Sequence, residues 1–456
     1  MSVQMTVGQR LDRLPNSSFH RRTLALIGAG MFFDGFDIYL AAGVLGAMVR
    51  DGFSTVQNNA WFLSCTFLGM MIGAWVSGIL GDRYGRRFSY QFNLALFGLA
   101  SLAAAFAPSI MWLSGFRFIM GLGLGAEIVL GYATLSEFVP PATRGKAASI
   151  MHFCTNSALM VATFGGWLII PYLGWRWMFA IAGVGAGIVW LMRKNMPESP
   201  RWLESKGRIA EADALTRVIE TEALGREPDV TPARLGVAPV VPRTSVTQLF
   251  QGRLLRRTIT GISINVINNL ITHGFIGWMP TFFVKEGMTV TSSLGYTAIM
   301  TLGAPVGSVL GYAMSESVGR KWGTVVLSIA ACALGLVYPH MTDPVPLLTV
   351  GFFLVVMIFA VGALSIAAYV PELFPTSVRM RGVGLCSTTG RLANVGIPFL
   401  VTALYISYGL TGVLALISGG FILQALIVAT IGIETRGRSL EEVDAEDMLV
   451  LQPVTG

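Results

Sequence analysis

Charge is what this sequence has least of. Asp, Glu, Lys and Arg together make up 12% of its 456 residues, about half the share of an ordinary soluble domain. The body of the chain is therefore not a solvated globular enzyme. Cysteine is scarce as well. Cys65, Cys154, Cys332 and Cys386 all fall in apolar runs with no paired spacing, which excludes a disulfide framework or a zinc site and reads as reduced packing residues. A Walker loop, an HExxH pair and a nucleophile elbow are all missing, so neither an enzyme nor an ATP-driven pump is expected. No metal or cofactor is expected either. The run GLGLG (121–125) follows no strand and lies inside an apolar stretch, where close helix packing explains it, as for Gly69, Gly73, Gly303, Gly307 and Gly311. Met1–Arg22 is polar and precedes no cleavage site, and the first apolar run is too long for a signal peptide, so it reads as a permanent helix.

What the chain has instead is apolar length. Hydrophobic residues make up 53% of it and mean hydropathy is +0.64. Runs of about 20 residues suffice to cross a bilayer, and they occur near 23–49, 59–80, 88–107, 110–135, 147–170, 175–192, 258–284, 292–314, 322–340, 345–369, 382–404 and 411–432. The expected fold is an all-α membrane protein of twelve transmembrane helices in two pseudo-symmetric six-helix bundles. Arg50, Arg176 and Lys285 are the basic residues of one set of loops, and most of the remaining Lys and Arg lie in the termini and the other loops. The positive-inside rule puts that richer side, with both termini, in the cytoplasm. The net charge of +7 then reports topology, and no nucleic-acid partner is needed to explain it.

One long polar segment divides six spans from six. The reading is a first bundle over 1–195, a cytoplasmic linker over 196–257, a second bundle over 258–434 and a tail over 435–456. PESPRWLESKGRIAEADALTRVIE has helical spacing and mixed charge, predicting short amphipathic helices, and VTPARLGVAPVVPRT (230–244) reads as an extended linker. The halves echo each other at offsets of 234 to 236 residues: Gly85 and Arg86 with Gly319 and Arg320, Glu137 and Arg144 with Glu372 and Arg379, Glu198-Ser199 with Glu434-Thr435. Three landmarks at one period indicate a duplication, a usual architecture of secondary transporters.

GILGDRYGRR resembles the loop 2–3 signature of the major facilitator superfamily. PESPRWL, PELFPTSVRMRG and ETRGRSLEE resemble its sugar-porter and organic-ion branches, and DGFD in the first span is similar to its aromatic-acid/proton symporters. The resemblance covers essentially the whole chain.

The charges left inside the spans are the candidate site. Asp34 and Asp37 are i and i+3 on one helical face, roughly 18 and 22 Å along a helix that rises about 1.5 Å per residue from Arg22. Two carboxylates so close in an apolar run cannot both ionise cheaply, so a proton-binding role is expected, the alternative being a static hydrogen-bonded acid. The resemblance singles out Asp37 as the coupling acid and implies that Arg117 in span four pairs with it when it is deprotonated. A purely structural salt bridge is the other reading. Glu127, further along span four, is a second protonation site or a polar cavity wall.

In span eleven Arg391 and Asn394 are i, i+3, with no acid in that span or at mid-depth in spans seven to ten to neutralise the arginine. Either a substrate carboxylate meets it, by the two parallel hydrogen bonds a guanidinium offers, or Glu127 or an aspartate does. Asn265, Asn269, Thr272 and His273 form a polar stripe on span seven, expected to face a central cavity, with Trp278 and Pro280 at its outer end. The resemblance also implies a gate of Asp82, Arg83, Arg86, Arg87, Glu137 and Arg144, with Asp82 against the N-terminus of span eleven. A second set, Glu316, Arg320, Glu372 and Arg379, departs from the pattern where Glu316 and Ser317 replace Asp and Arg.

The leading expectation is a proton-coupled importer of a small organic acid, aromatic or sugar-derived, driven by the proton gradient and working as a monomer in the plasma membrane (the inner membrane of a bacterium). A sugar or polyol symporter is the alternative. A drug/proton antiporter is weaker, since span five lacks a Gly-Pro kink pattern, and a nutrient sensor would bring a longer tail than the residues after Glu434.

Overall fold

The computed structural model describes residues 4–226, 231–232, 246–374 and 378–435, without the side chains of some positions, among them Arg144, Glu316 and Arg379. Most of the segment 230–244 and the tail beyond Thr435 lie outside the described residues, as does the expectation of an extended linker there.

The first half begins with a short helix α1 (Val7–Asp12) and continues through α2 (Ser18–Arg50), α3 (Val56–Tyr84), α4 (Arg86–Ala105), α5 (Ile110–Phe138), α6 (Pro141–Leu173) and α7 (Arg176–Arg193). The amphipathic helices expected in the linker are α8 (Pro200–Ser205) and α9 (Ile209–Leu224). Span seven is built from α10 (Gly252–Ile271), a π-helical turn (Thr272–Ile276) and α11 (Met279–Lys285). Span eight joins α12 (Val290–Thr301) and α13 (Gly303–Ser317), and span nine is α14 (Arg320–Val337). Span ten runs through α15 (Pro344–Gly362), a π-helical stretch (Ala363–Tyr369) and α16 (Val370–Glu372). The continuous stretch α17 (Arg379–Ile431) holds spans eleven and twelve, which part at Gly409, where φ is 63°. All twelve expected spans are therefore helical. Among the described residues nine helical stretches meet a strict length and hydropathy test. The three further spans are α7, the interrupted span seven and the second member of α17.

An apolar exterior confirms the environment. Trp75, Phe106, Met111 and Tyr172 are each more than 70% exposed, which water would not tolerate over so large a surface and lipid favours. The chain divides into two compact units, the first formed by 1–40, 68–162 and 173–241, the second by 41–67, 163–172 and 242–456.

Within the first unit α3 and α5 touch backbone to backbone. A Cβ on Gly69 or Gly73 would collide with the carbonyls of Phe118 and Leu122, and one on Gly125 with that of Met70. Within the second unit α13 meets α15 in the same way, Gly303, Gly307 and Gly311 lying against the carbonyls of Phe352, Val356 and Ala360. Small residues are what lets membrane helices approach so closely. Gly69 and Gly73, with the carbonyls of Phe118 and Leu122, recur as Gly303 and Gly307, with those of Phe352 and Val356, at the duplication's own offset, whereas Gly125 and Gly311 have no glycine counterpart.

The peripheral helices are held by charge. Arg10 of α1 is fully buried, with Nε donating at 3.1 Å and Nη2 at 2.6 Å to Glu220, and Nη1 at 2.5 Å to Asp213, both acids on α9. Burial opposes ionisation of Asp213, but the hydrogen bonds from Arg10 and Arg217 outweigh it and hold its carboxyl below the ordinary aspartate value.

Candidate functional site

In the first unit the expected pair forms. Arg117 of α5 donates from Nη1 to Oδ2 of Asp37 on α2 at 2.6 Å, with both side chains essentially unexposed. The ring of Phe179 from α7 lies 6.0 Å from the guanidinium. The other carboxylate oxygen of Asp37 is buried and has no hydrogen-bond partner.

Glu127 goes elsewhere than the sequence suggested. It accepts a hydrogen bond from Nη1 of Arg193, the last residue of α7, so the reading that Glu127 neutralises Arg391 is corrected. Arg193 itself counted among the basic residues of the linker side, yet its side chain is wholly buried. Its Nε donates to the Leu26 carbonyl at 2.8 Å and its Nη2 to that of Ile27 at 3.0 Å, and its guanidinium lies 4.7 Å over the ring of Tyr90. Nothing in the local sequence marks it, since it stands where a helix-ending, membrane-edge arginine is ordinary. The one clue was Gly30, whose missing Cβ leaves the space that the Arg193–Glu127 pair fills.

In the second unit α10 and α17 bring the carboxamides together. Asn394 donates from Nδ2 to Oδ1 of Asn269 at 2.7 Å, and Asn269 donates to the Asn265 carbonyl at 2.8 Å. Gly390, one turn before Asn394, permits the approach, because a Cβ there would lie 2.7 Å from Nδ2 of Asn269. Arg391 follows it, half-buried, and among the described residues it has no hydrogen bond and no ion pair. Oδ1 of Asn394 is buried and also lacks a partner.

Thr272 and His273 fall in the π turn, so the regular polar stripe ends at Asn269. The His273 ring packs against Phe67, 4.9 Å between centroids. Nor do Trp278 and Pro280 end the helix. It continues to Lys285, and Trp278 is fully buried. Asn268, which sequence reasoning missed, donates to the Ile264 carbonyl at 3.0 Å, and its Nδ2 lies 3.2 Å from both Oγ of Ser365 and Oε1 of Gln424. It thereby ties α10 to the π-helical stretch of span ten and to the second member of α17. Segments of π-helix often mark functional positions in helices.

The loop clusters repeat one construction. Gly85 turns the chain between α3 and α4 at φ 98°. Arg86 reaches Glu137 at 2.8 Å and Asp82 at 2.9 Å. Glu198 then takes the free amides that open α4, those of Arg86 at 2.8 Å and Arg87 at 3.3 Å. In the second unit Gly319 turns at φ 104°, Arg320 reaches Glu372 at 3.1 Å, and Glu434 takes the amides of Arg320 at 3.0 Å and Lys321 at 3.2 Å. An acid at a helix N-terminus satisfies orphan donors and opposes the helix dipole. Asp82 is 77% exposed, Arg83 stacks near Tyr84 and Arg87 donates to the Lys194 carbonyl. Arg144, Glu316 and Arg379 lie outside the described side chains.

The second unit also contains the ends of α2, α3 and α6 that lie away from the basic loops. Ser64 donates to the Val395 carbonyl at 2.7 Å, Trp61 meets Phe399 edge-on at 5.0 Å, the Thr163 and Thr301 hydroxyls are 2.9 Å apart, and Gly46 packs on the Pro280 backbone. Within this unit those contacts join the ends of α2, α3 and α6 to α11, α12 and α17.

Comparison with known proteins agrees with this architecture. The model of the sugar (and other) transporter family matches residues 23–446. The inner membrane metabolite transport protein YdjE of Escherichia coli is 36% identical over 442 residues, covering 96% of this chain and 98% of that one. The niacin transporter NiaP of Acinetobacter baylyi is 32% identical over 443 residues, covering 96% and 100%. Among solved structures, a partially occluded inward-open form of the E. coli xylose transporter XylE matches at TM-score 0.74 and 19% identity, over 93% of this chain and 100% of that one.

Proposed function

The chain belongs to the sugar (and other) transporter family of the major facilitator superfamily, and from that premise we propose that it takes up a small carboxylate together with a proton by alternating access. It is a multi-pass membrane transporter, and its relatives are transporters of metabolites rather than enzymes.

The observation that carries the anionic substrate is Arg391, a half-buried guanidinium with no acid of the protein beside it among the described residues. A cation inside a membrane protein pairs or faces a wet cavity, and a substrate carboxylate supplies the missing charge in bidentate form. The unpartnered Asn394 oxygen next to it accepts from a hydroxyl or ring N–H of the same solute, and Asn265, Asn269, Thr272 and His273 complete the wall. Niacin, named for one relative, is an aromatic carboxylic acid and fits this chemistry.

Coupling rests on Asp37 and Arg117. When Asp37 is ionised, Arg117 holds it. A proton on Asp37 weakens that bond and loosens α2 from α5, and the pair re-forms when the proton leaves on the low-proton side. The basic-loop clusters around Arg86 and Arg320 are the gate of the cytoplasmic side, with both termini on that side, and the ends of α2, α3 and α6 that lie away from them face outward. Asp82 contributes to the gate from its exposed position.

A neutral sugar or polyol is the second reading, favoured by the cluster of three carboxamides at Asn265, Asn269 and Asn394, groups that suit hydroxyls. Thermal-shift measurements on the purified protein with monocarboxylates, their amides and sugars decide between them. Stabilisation by acids alone supports the carboxylate reading, and stabilisation by sugars alone removes it.

A further inference from the structure

Five charged side chains are buried together in the first unit, and they do not balance. Asp34, Asp37 and Glu127 are acids, Arg117 and Arg193 are bases, and each is at most 1% exposed. Asp37 holds Arg117 and Glu127 holds Arg193. Asp34 is left over: its Oδ2 is buried with no hydrogen-bond donor. An extra uncompensated charge in an apolar interior is among the most expensive arrangements a protein can hold. A proton removes it.

The surroundings say where that proton acts. Asp34 is within electrostatic reach of Glu127, Arg193 and Asp37. It lies one helical turn beyond Gly30, against which the Arg193–Glu127 pair is seated. From α6 the packing on this face comes from Met151, Cys154 and Thr155 near Gly28 and Gly35, none of them charged, and from α4 it is the ring of Tyr90.

We infer that Asp34, Glu127 and Arg193 form a second proton-binding centre, separate from Asp37–Arg117, in which Asp34 carries the proton and Arg193 answers its loss. When the O–H bond of Asp34 breaks and the proton passes to water, the new carboxylate competes with Glu127 and with the Leu26 and Ile27 carbonyls for the guanidinium. The end of α7 is stitched to α2 by those carbonyl bonds, so protonation of Asp34 sets how tightly the two helices are joined. This inference rests on the proton-coupled reading for its purpose but not for its test.

The test is an infrared pH titration of the purified full-length protein, following the C=O stretch of protonated carboxyl groups with deuterium exchange to identify them. Two buried carboxyl bands are expected in the wild type. Asp34→Asn removes one and Asp37→Asn the other, and the surviving band in each variant shows that it is folded. Arg193→Lys shifts the midpoint of the Asp34 band and leaves that of Asp37 in place. Loss of the same band in both Asn variants, or no loss in Asp34→Asn, overturns the second centre. Should nicotinate uptake prove independent of a proton gradient while both bands titrate as described, the symport reading falls and the centre stands.

Discussion

Asp37 and Arg117 meet at 2.6 Å with neither side chain exposed, and a pair so placed is sensitive to the charge of either member. Removing one partner of a buried pair costs about 3–5 kcal/mol when the other charge is stranded. Asn at 37 keeps the shape and accepts a hydrogen bond from Arg117, but it cannot release a proton. Asp37→Asn is therefore expected to abolish accumulation driven by a proton gradient while exchange of labelled for unlabelled solute continues. Uphill uptake retained in that variant would remove Asp37 from the coupling step.

Glu198 and Glu434 do one job in two places, each accepting amides at the start of the helix that follows a left-handed glycine. Loss of a helix N-cap costs about 0.5–2 kcal/mol. Glu198→Gln and Glu434→Gln keep an acceptor oxygen and lose the charge, so each should lower the melting temperature less than the Ala variant at the same position. The two positions should respond alike. A large loss at one and none at the other would show that the repeated construction is not repeated in energy.

Much of this was legible in the sequence because it rests on local or periodic signals. Apolar runs of bilayer length gave the spans, and the spacing of Gly85, Glu137 and Glu198 against Gly319, Glu372 and Glu434 gave the duplication. Asp37 and Arg117 could be paired because the family resemblance implies it, and because a buried ion in an apolar span needs a partner. Arg193 was missed for the opposite reason. An arginine at the end of a span usually turns outward to the headgroups, and only the space left at Gly30 reveals that this one turns in. The π turn at Thr272–Ile276 was equally hidden, since a single extra residue per turn leaves no mark in composition.

The docking of α1 depends on pH in a direction that the geometry fixes. Hydrogen bonds from Arg10 and Arg217 hold Asp213 below its ordinary value of 3.8 despite partial burial. A carboxyl depressed in the docked state contributes stability above its undocked value and loses it as pH falls through the docked one. Limited proteolysis near residues 13–17 should thus stay slow down to roughly pH 4 and accelerate below it. Asp213→Asn should make cleavage fast at neutral pH as well. If acid leaves the cleavage rate of the wild type unchanged, Asp213 contributes nothing to docking.

Arg391 is the residue on which substrate chemistry turns. If a carboxylate lies in its guanidinium fork, Arg391→Lys keeps the charge and loses the two-point geometry, and binding of nicotinate should weaken by roughly 1–3 kcal/mol, the scale of a charge-assisted hydrogen bond. Arg391→Ala should weaken it further. Nicotinamide has nearly the same shape without the charge, so it should bind the wild type poorly and lose little more in either variant. A structural arginine would behave differently, because its removal disturbs the cavity for every ligand alike. Equal losses for the acid and the amide on Arg391→Ala, read by calorimetry or thermal shift, would therefore exclude recognition of an anion and leave the three carboxamides at Asn265, Asn269 and Asn394 as the site for a neutral, hydroxylated solute.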